Sequence, residues 1–228
     1  INEFAQMVGD QNHLDHLYIL TVADMNATNP DIWNNWRESL LHQLYSETKR
    51  ALNRGLENPI DREDCIAETQ QSAMEIIRKN TNLDEQAVWE LWQTSGDDYL
   101  LRENAEDIVW HTKAILTQED NEKPLVLIDD KTLKGTHKVT QIFIRSPLGH
   151  NIFAAVTSAL DQLQLNIQDA RIYGTVSGFA MDTFYVLDEN NYPIDHKPRT
   201  IKKIIAAITE ELKLINDYSE IIKRRVPR

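Results

Sequence analysis

Two histidines and one carboxylate near the start of the chain have the types and spacing of metal ligands. His13 and His16 lie three residues apart in a segment with helical periodicity, so both imidazoles fall on one helix face. Asp24 follows two turns later. A structural zinc site needs about four ligands together, and the sequence shows no ligand-spaced partner for the pair. Two interpretations stay open, half of a zinc site or solvated helix side chains.

Other catalytic signatures are absent from the sequence. There is no Gly-rich phosphate loop, no G-x-S-x-G elbow and no paired-cysteine motif. The single cysteine, Cys65, excludes an intrachain disulfide and is typical of a protein from a reducing compartment. The motifs therefore predict no enzymatic chemistry carried by this chain alone.

Charge and hydrophobicity exclude two classes of partner. The net charge of −12 argues against broad contact with nucleic acid, because phosphate backbones bind basic surface. The basic cluster in residues 223–228 is local and is typical of a solvated linker. No apolar run approaches the ~20 residues that span a bilayer, and no signal peptide is visible. We expect a cytoplasmic protein without membrane partners and, since it begins with Ile1 rather than Met, an internal piece of a longer polypeptide.

The N-terminal half has the periodicity of helices. Bulky apolar residues recur at spacings of three and four through residues 1–117, which predicts an almost wholly helical segment. Its later helices are predicted at roughly 61–79, 84–95 and 104–117. Gly55 is placed to end the helix before them as a left-handed C-cap.

The second half changes period at a predicted strand, residues 139–145. A turn and a helix capped by Asn151 follow, and two strands joined by a tight turn then precede a final amphipathic helix. The order βαββα, with one more strand, is the split βαβ arrangement of the ferredoxin-like class. A strand at 124–129 and a polar connection at 129–137 come before it. The sequence thus predicts an α+β fold, mostly helical first and then a ferredoxin-like βαββα(β) domain.

Four segments carry a resemblance to a known family. They are LYILTVADMNATNPDIWNNWRESLLHQLY at 17–45, KPLVLI at 123–128, FIRSPLGHNIFAAV at 143–156 and ARIYGTVSGFAMDTFYVL at 170–187. The last two resemble an ACT domain, a small ligand-sensing βαββαβ module. With the flanking segments, almost the whole chain resembles the bifunctional PII uridylyltransferase and uridylyl-removing enzymes of bacterial nitrogen control.

The resemblance implies an order of domains. Residues 1–57 are expected to be the C-terminal helices of an HD phosphohydrolase domain, 58–122 a helical connector and 123–218 a first ACT domain. Residues 219–228 are expected to be a basic linker toward a following domain. A ligand shifts an enzyme only through its differential affinity for two states, so the connector is the expected lever.

The resemblance also implies the activity of the full-length enzyme. It would transfer UMP from UTP to the PII signal protein when glutamine is scarce and hydrolyse it off when glutamine is plentiful, with Mg or Mn as the cation. Asp24 matches the last ligand of the HD metal site. The other ligands, a His and a His-Asp pair, and the Gly-Ser and Asp-x-Asp nucleotidyltransferase signature do not occur before it. We therefore expect no catalytic residue and no cofactor within this chain.

An effector site for glutamine is the last implication. In ACT modules the loop after the first strand binds a small amino acid, because backbone N–H groups at a helix N-terminus receive its carboxylate. The corresponding residues here are Ser146, Leu148, Gly149, His150, Asn151 and Ile152, and Asn166 and Gln168 on the second strand form the opposite wall, usually that of a neighbouring ACT module.

The loop departs from the usual Asp-x-Pro-Gly-Leu pattern of ACT modules. Leu148 stands at the acidic position, which would hold an amino group, and Asn151 stands at the glycine. Two hypotheses remain: a glutamine site, or a non-catalytic ACT-type module for amino-acid binding or self-association. Asp182, on the third strand of the module, is expected to close a hairpin hydrogen bond rather than to contact a ligand.

Overall fold

The computed structural model describes residues 1–28, 35–54, 62–120, 123–132, 138–147, 151–175 and 178–214. Four elements of the sequence analysis lie outside this part of the chain: Gly55, the loop residues Leu148, Gly149 and His150, the turn residue Ser177 and the basic cluster at 223–228. None of the described helices is both long enough and apolar enough to cross a membrane.

The chain divides into two compact units. The first comprises Ile1–Cys65 with Thr132–Lys138, and the second comprises Ile66–Lys131 with the described part of Val139–Arg228. The helices that the sequence places before the sheet are therefore shared between two units, and most of them belong to the unit that contains the sheet.

Within the described residues, the first unit contains the helices α1 (Asn2–Val8), α2 (Gln11–Thr28) and α3 (Asn35–Arg54). A polar contact joins α2 to α3, because the Tyr45 hydroxyl donates a hydrogen bond of 2.7 Å to Asp15 Oδ1. Among the described side chains of this unit, the buried ones are Ala5, Leu14, Thr48 and Ala51. With so small a core, α2 and α3 leave large apolar side chains exposed.

Helix α4 (Arg62–Asn80) begins in the first unit and lies mostly in the second, which also contains α5 (Glu85–Ser95), α6 (Asp97–Arg102) and α7 (Ala105–Thr117). The N-caps Asp84 and Asn104 fix where α5 and α7 begin, since their side chains accept backbone N–H groups two to three residues into each helix. The predicted helical periodicity is confirmed for α4, α5 and α7. The short helix α6 was not separated by the sequence pattern.

One antiparallel sheet contains the strands β1 (Leu125–Thr132), β2 (Lys138–Pro147), β3 (Asn166–Gly174) and β4 (Phe179–Leu187), in the order β1-β2-β4-β3. Helix α8 (Ile152–Gln162) connects β2 to β3, and α9 (Pro198–Lys213) follows β4. The α+β class and the βαββα order predicted from the sequence are confirmed.

Strand β1 lies beside β2 at one edge of the sheet. In a split βαβ arrangement this edge is where the last strand of the module pairs with the first. The strand also runs through residues 129–132, where the sequence predicted a polar connection. Pairing at a sheet edge uses backbone groups, so polar side chains do not end a strand there.

Helices cover both faces of the sheet. On β4, the side chains of Ala180 and Phe184 pack on one face with α8 and α9. On the opposite face Met181 packs with Phe143, Tyr173 and residues of α4, α5, α6 and α7. Strand β4 is accordingly buried along nearly its whole length.

Candidate effector site and metal-ligand positions

Asp24 lies near the C-terminus of α2 and is exposed. Its Oδ1 accepts a hydrogen bond of 3.3 Å from Thr28 Oγ1. Leu17 and Leu20 share this helix face by their spacing, and they are 44% and 66% exposed. Adjacent exposed apolar residues of this kind are typical of a surface that packs against another part of a protein. Asp24 therefore projects from a face that is suited to being covered.

The two histidines do not gain a metal partner in the structure. His13 Nδ1 lies 2.8 Å from Asp10 Oδ2, and both side chains are exposed. Searching the described ranges alone, we find no group of three or more His, Cys, Asp or Glu side chains that could hold a metal ion. The structure thus brings no third ligand to His13 and His16.

The described part of the predicted effector loop consists of its two ends. Ser146 is buried near the end of β2, opposite Ala180. Asn151 has φ 70° and ψ 31°, a left-handed conformation, and its side chain makes no capping hydrogen bond to α8. Asn151 therefore occupies the N-cap position of α8 as expected, but its side chain does not cap the helix. Asn adopts this conformation more readily than most residues, so it meets the backbone requirement of a glycine position. Ile152 starts α8 and packs in the core.

The opposite wall of the predicted site begins at β3. The Asn166 amide nitrogen donates a hydrogen bond of 3.0 Å to the Asp188 carbonyl, which fixes the start of β3 against the end of β4. Gln168 lies at an irregularity in the pairing, because the register passes from Ile167 directly to Asp169. A bulge re-aims the side chain at that position. Gln168 Nε2 donates a hydrogen bond of 3.4 Å to the Asn166 carbonyl, so both wall residues have a side-chain hydrogen bond within the protein.

Asp182 is a buried carboxylate on β4. Its side chain is 1% exposed, and it lies between Ile144 of β2 and Ile172 of β3 in the register. Burial raises the pKa of Asp182 to about 7, and a backbone hydrogen bond from Tyr173, across the hairpin, partly offsets this. The Oδ1 atom has no hydrogen-bond partner. Asp182 lies on the same sheet face as Ser146, since Ile144 and Ser146 are two residues apart on β2.

The second sheet face carries a buried network around Glu103, at the C-terminal end of α6. Glu103 Oε1 accepts hydrogen bonds from the Tyr173 hydroxyl at 2.8 Å and from Thr183 Oγ1 at 3.0 Å. Glu103 Oε2 lies 3.1 Å from Arg171 Nη1, which also donates to the Arg102 carbonyl at 2.9 Å. Burial raises the pKa of Glu103, and Arg171 acts in the opposite direction.

Sequence analysis missed this network. Its only signal was that Arg171 and Tyr173 fall on the face of β3 opposite Ala170 and Ile172, which reads as a solvated polar face. In the structure Glu103 is 3% exposed and Tyr173 is 2% exposed. A tyrosine and an arginine alternating on a strand are as suitable for a buried network as for solvent, and the sequence does not distinguish the two.

Further polar groups are buried on the same face. The His111 ring stacks on Phe143 with centroids 3.7 Å apart, and its Nδ1 lies 3.0 Å from the Tyr99 hydroxyl. Burial holds the pKa of His111 well below its usual value, so the ring is neutral. His111 Nε2 and both amide atoms of Gln141 are buried without a hydrogen-bond partner. This interface therefore buries polar groups whose hydrogen bonds are incomplete.

Together, these features define the class of the molecule: an α+β chain in which a helical part precedes an ACT-like four-stranded sheet. The described loop ends lie at one face of this sheet, and the polar network lies at the other.

Comparison with known proteins shows which enzymes the chain resembles. Residues 61–114 match the family model described as uridylyltransferase GlnD fifth domain. The whole chain is 53% identical to the bifunctional uridylyltransferase/uridylyl-removing enzymes of Pseudomonas syringae pv. syringae and Pseudomonas putida, and 51% identical to that of Pseudomonas aeruginosa. Each alignment covers 100% of this chain and 25% of the relative. Along its whole length the chain is therefore similar to part of these bifunctional uridylyltransferase/uridylyl-removing enzymes, and it spans about a quarter of the length of these relatives. No solved structure matched it.

Proposed function

We propose that this chain is the regulatory part of an enzyme that uridylylates the PII signal protein with UTP and hydrolyses UMP from it in response to glutamine. The observation that carries the proposal is the identity of 51–53% along the entire chain to enzymes named for both reactions. The ACT-like sheet supports a sensing role for the second unit. The proposal places both reactions in other parts of the full-length enzyme.

The metal ion of the hydrolase is assigned only in part to this chain. A divalent cation such as Mg or Mn requires several oxygen or imidazole ligands together, so Asp24 alone does not fit such an ion. The exposed apolar face around Asp24, with Leu17 and Leu20, supports packing against preceding residues that supply the remaining His and His-Asp ligands. Without them we assign no chemical step to this chain.

Replacing Asp24 with Asn in the full-length enzyme tests this assignment. Loss of a direct ligand is expected to reduce the rate of UMP removal by about 100-fold or more. Removing a group that only orients a metal ligand already costs up to about 100-fold, and a direct ligand contributes at least as much. Transfer of UMP to PII is expected to be retained. The matched variant His16→Gln, on the same helix face, should change neither rate. Equal loss in both variants would favour the histidine site, and an unchanged hydrolase in Asp24→Asn would refute the assignment.

We further assign glutamine to the loop between β2 and α8. The glutamine carboxylate is placed at the N-terminus of α8, where the helix dipole favours negative charge. Ser146, Leu148, Gly149, His150, Asn151 and Ile152 form this side, and Asn166 and Gln168 form the other. The left-handed backbone of Asn151 supports the assignment, because it meets the backbone requirement of the glycine in ACT loops.

Calorimetric titration of glutamine into the 228-residue chain tests the site. Binding heat is expected for the parent, and Leu148→Asp is expected to increase the affinity because it restores the acidic residue that holds the amino group. Asn151→Gly removes a side chain next to the ligand and should not weaken binding. If neither the parent nor either variant gives binding heat, the glutamine site is refuted. The second candidate function, a structural or self-associating module, then remains.

One observation favours that second candidate. Strand β3 is an edge strand, and Ile167 and Ile172 on it are 38% and 48% exposed. An exposed edge with apolar side chains is suited to pairing with another strand. Sedimentation of the chain with and without glutamine separates the two functions, since the second requires self-association that does not depend on glutamine.

A further inference from the structure

Strand β3 is in contact with two different parts of the second unit. Its start, at Asn166 and Gln168, belongs to the proposed effector site. Its opposite face and its end are bound by the helices that precede the sheet. Arg171 and Tyr173 contact Glu103, and the edge of the Tyr99 ring packs against Tyr173 with centroids 5.5 Å apart. These contacts join β3 directly to α6.

The approach of the helices to β3 is close at its end as well. A Cβ atom built on Gly96 would lie 2.8 Å from the Gly174 carbonyl oxygen, so the two backbones touch. Gly96 precedes α6 and Glu103 follows it. Helix α6 is thus attached to β3 at both of its ends, at Gly174 by backbone contact and at Arg171 and Tyr173 by the Glu103 carboxylate.

The Glu103 contacts have the character of a specific attachment. All three partner groups, the Tyr173 hydroxyl, the Thr183 hydroxyl and the Arg171 guanidinium, donate to the carboxylate. A buried carboxylate that keeps its donors is well held, whereas one that loses them is strongly unfavourable. The attachment therefore depends on the relative positions of β3, β4 and α6.

Other polar groups on the same face differ in their hydrogen bonds. The Tyr99 hydroxyl lies 3.0 Å from His111 Nδ1, and Trp92 Nε1 donates to Thr112 Oγ1 at 2.9 Å. Both amide atoms of Gln141 and Nε2 of His111 are buried without a protein partner. The packing of the helices on this sheet face therefore rests on the apolar contacts and on the Glu103 network.

We propose that Glu103 with Arg171, Tyr173 and Thr183 is a latch that couples β3 to α6 and α7, and that displacement of β3 by an occupied effector site releases these helices from the sheet. The latch itself rests on the contacts above. Its response to glutamine rests on the proposed function. Within that function, residues 97–117 become the segment that reports the state of the sensing sheet, rather than a passive connector.

Hydrogen exchange of the 228-residue chain tests the latch. In Glu103→Ala the amides of α6 and α7 are expected to exchange about tenfold faster or more, by local opening, while those of α8 and α9 keep their protection. Glu103→Gln retains an acceptor and should give a smaller increase. The matched control is Glu106→Gln, which replaces an exposed carboxylate in the first turn of α7. This variant should leave the exchange rates unchanged.

The outcomes separate a latch from ordinary packing. Equal acceleration in α6, α7, α8 and α9 would mean global destabilisation and would overturn the proposal, as would unchanged exchange. If Glu103→Ala does not fold, Tyr173→Phe and Thr183→Val each remove one hydroxyl and keep the remaining contacts. They should produce the same local pattern with a smaller amplitude, and exchange in both variants identical to the parent would also overturn the latch.

A second measurement tests the coupling in the full-length enzyme. In Glu103→Gln, glutamine binding is expected to persist while the effect of glutamine on the balance of transfer and hydrolysis is reduced. Normal regulation by glutamine in this variant would overturn the coupling. Absence of glutamine binding to the parent chain would instead count against the proposed function, and the exchange experiment would still decide the latch.

Discussion

Replacing Asp182 with Asn is expected to remove a pH dependence of stability that the parent chain shows between about pH 4 and pH 7. The pKa of Asp182 is about 7 in the folded chain and near 3.8 when exposed. Because the folded pKa is the higher one, the folded state holds the proton over this window and the unfolded state does not. The contribution of Asp182 to stability therefore falls as pH rises, and the full penalty is present above pH 7.

The expected size of this effect is large. A shift of about three pH units corresponds to about 4 kcal/mol between the two protonation states, as an order of magnitude. The free energy of unfolding, measured with urea at several pH values from 5 to 8, should include in the parent a component that falls with pH and that Asp182→Asn lacks. The cost of burying the amide does not vary with pH, so it adds no slope of its own.

An exposed carboxylate after the same strand provides the control. Glu189→Gln changes one charge at the surface and should leave the slope of the parent curve intact. Parallel curves for the parent and Asp182→Asn would contradict the prediction, because they would mean that Asp182 ionises in the folded chain as it does in the unfolded chain.

Replacing Gly96 with Ala is expected to destabilise the chain by about 3 kcal/mol or more, from the sum of backbone strain and overpacking. Gly96 has φ 86° and ψ 146°, a conformation almost confined to glycine. The added methyl group would also lie 2.8 Å from the Gly174 carbonyl oxygen, which is backbone and has little freedom to move. Urea unfolding of both chains at pH 7 measures the difference.

Gly178→Ala is the matched control for the contact. Gly178 also has a positive φ, 77°, but a Cβ there meets nothing within 4 Å. Only the conformational cost remains, about 1–2 kcal/mol. If Gly96→Ala were no more destabilising than Gly178→Ala, the close approach of α6 to the end of β3 would be contradicted, and with it one of the two attachments between them.

The elements of this chain could be predicted because their signals are local. The apolar stripes of α8 and α9 repeat at helical spacing, and the alternation in β3 and β4 has a period of two. Such patterns depend only on neighbours along the chain. The loop ends were located in the same way, since a turn must separate β2 from α8.

The parts of the sites that sequence analysis missed depend on distant residues. Glu103 meets Arg171, Tyr173 and Thr183 across 68, 70 and 80 positions of sequence. A carboxylate at a helix end has the same sequence signature whether it is solvated or enclosed. The alternation places Asp182 on the strand face of Ala180, Phe184 and Val186, but it does not show that Asp182 Oδ1 is left without a hydrogen-bond partner there.

By itself, the sequence determined the α+β class, the βαββα order and the similarity to the bifunctional enzymes, since periodicity and residue identity are properties of the chain. The tertiary structure decided which polar residues are removed from water. Helices from residues 66–117 cover the second face of the sheet, and this turns Arg171, Tyr173 and Glu103 from surface groups into a buried attachment. The physical reason is that the burial of a strand face depends on which element packs against it, and the sequence of the strand does not specify that element.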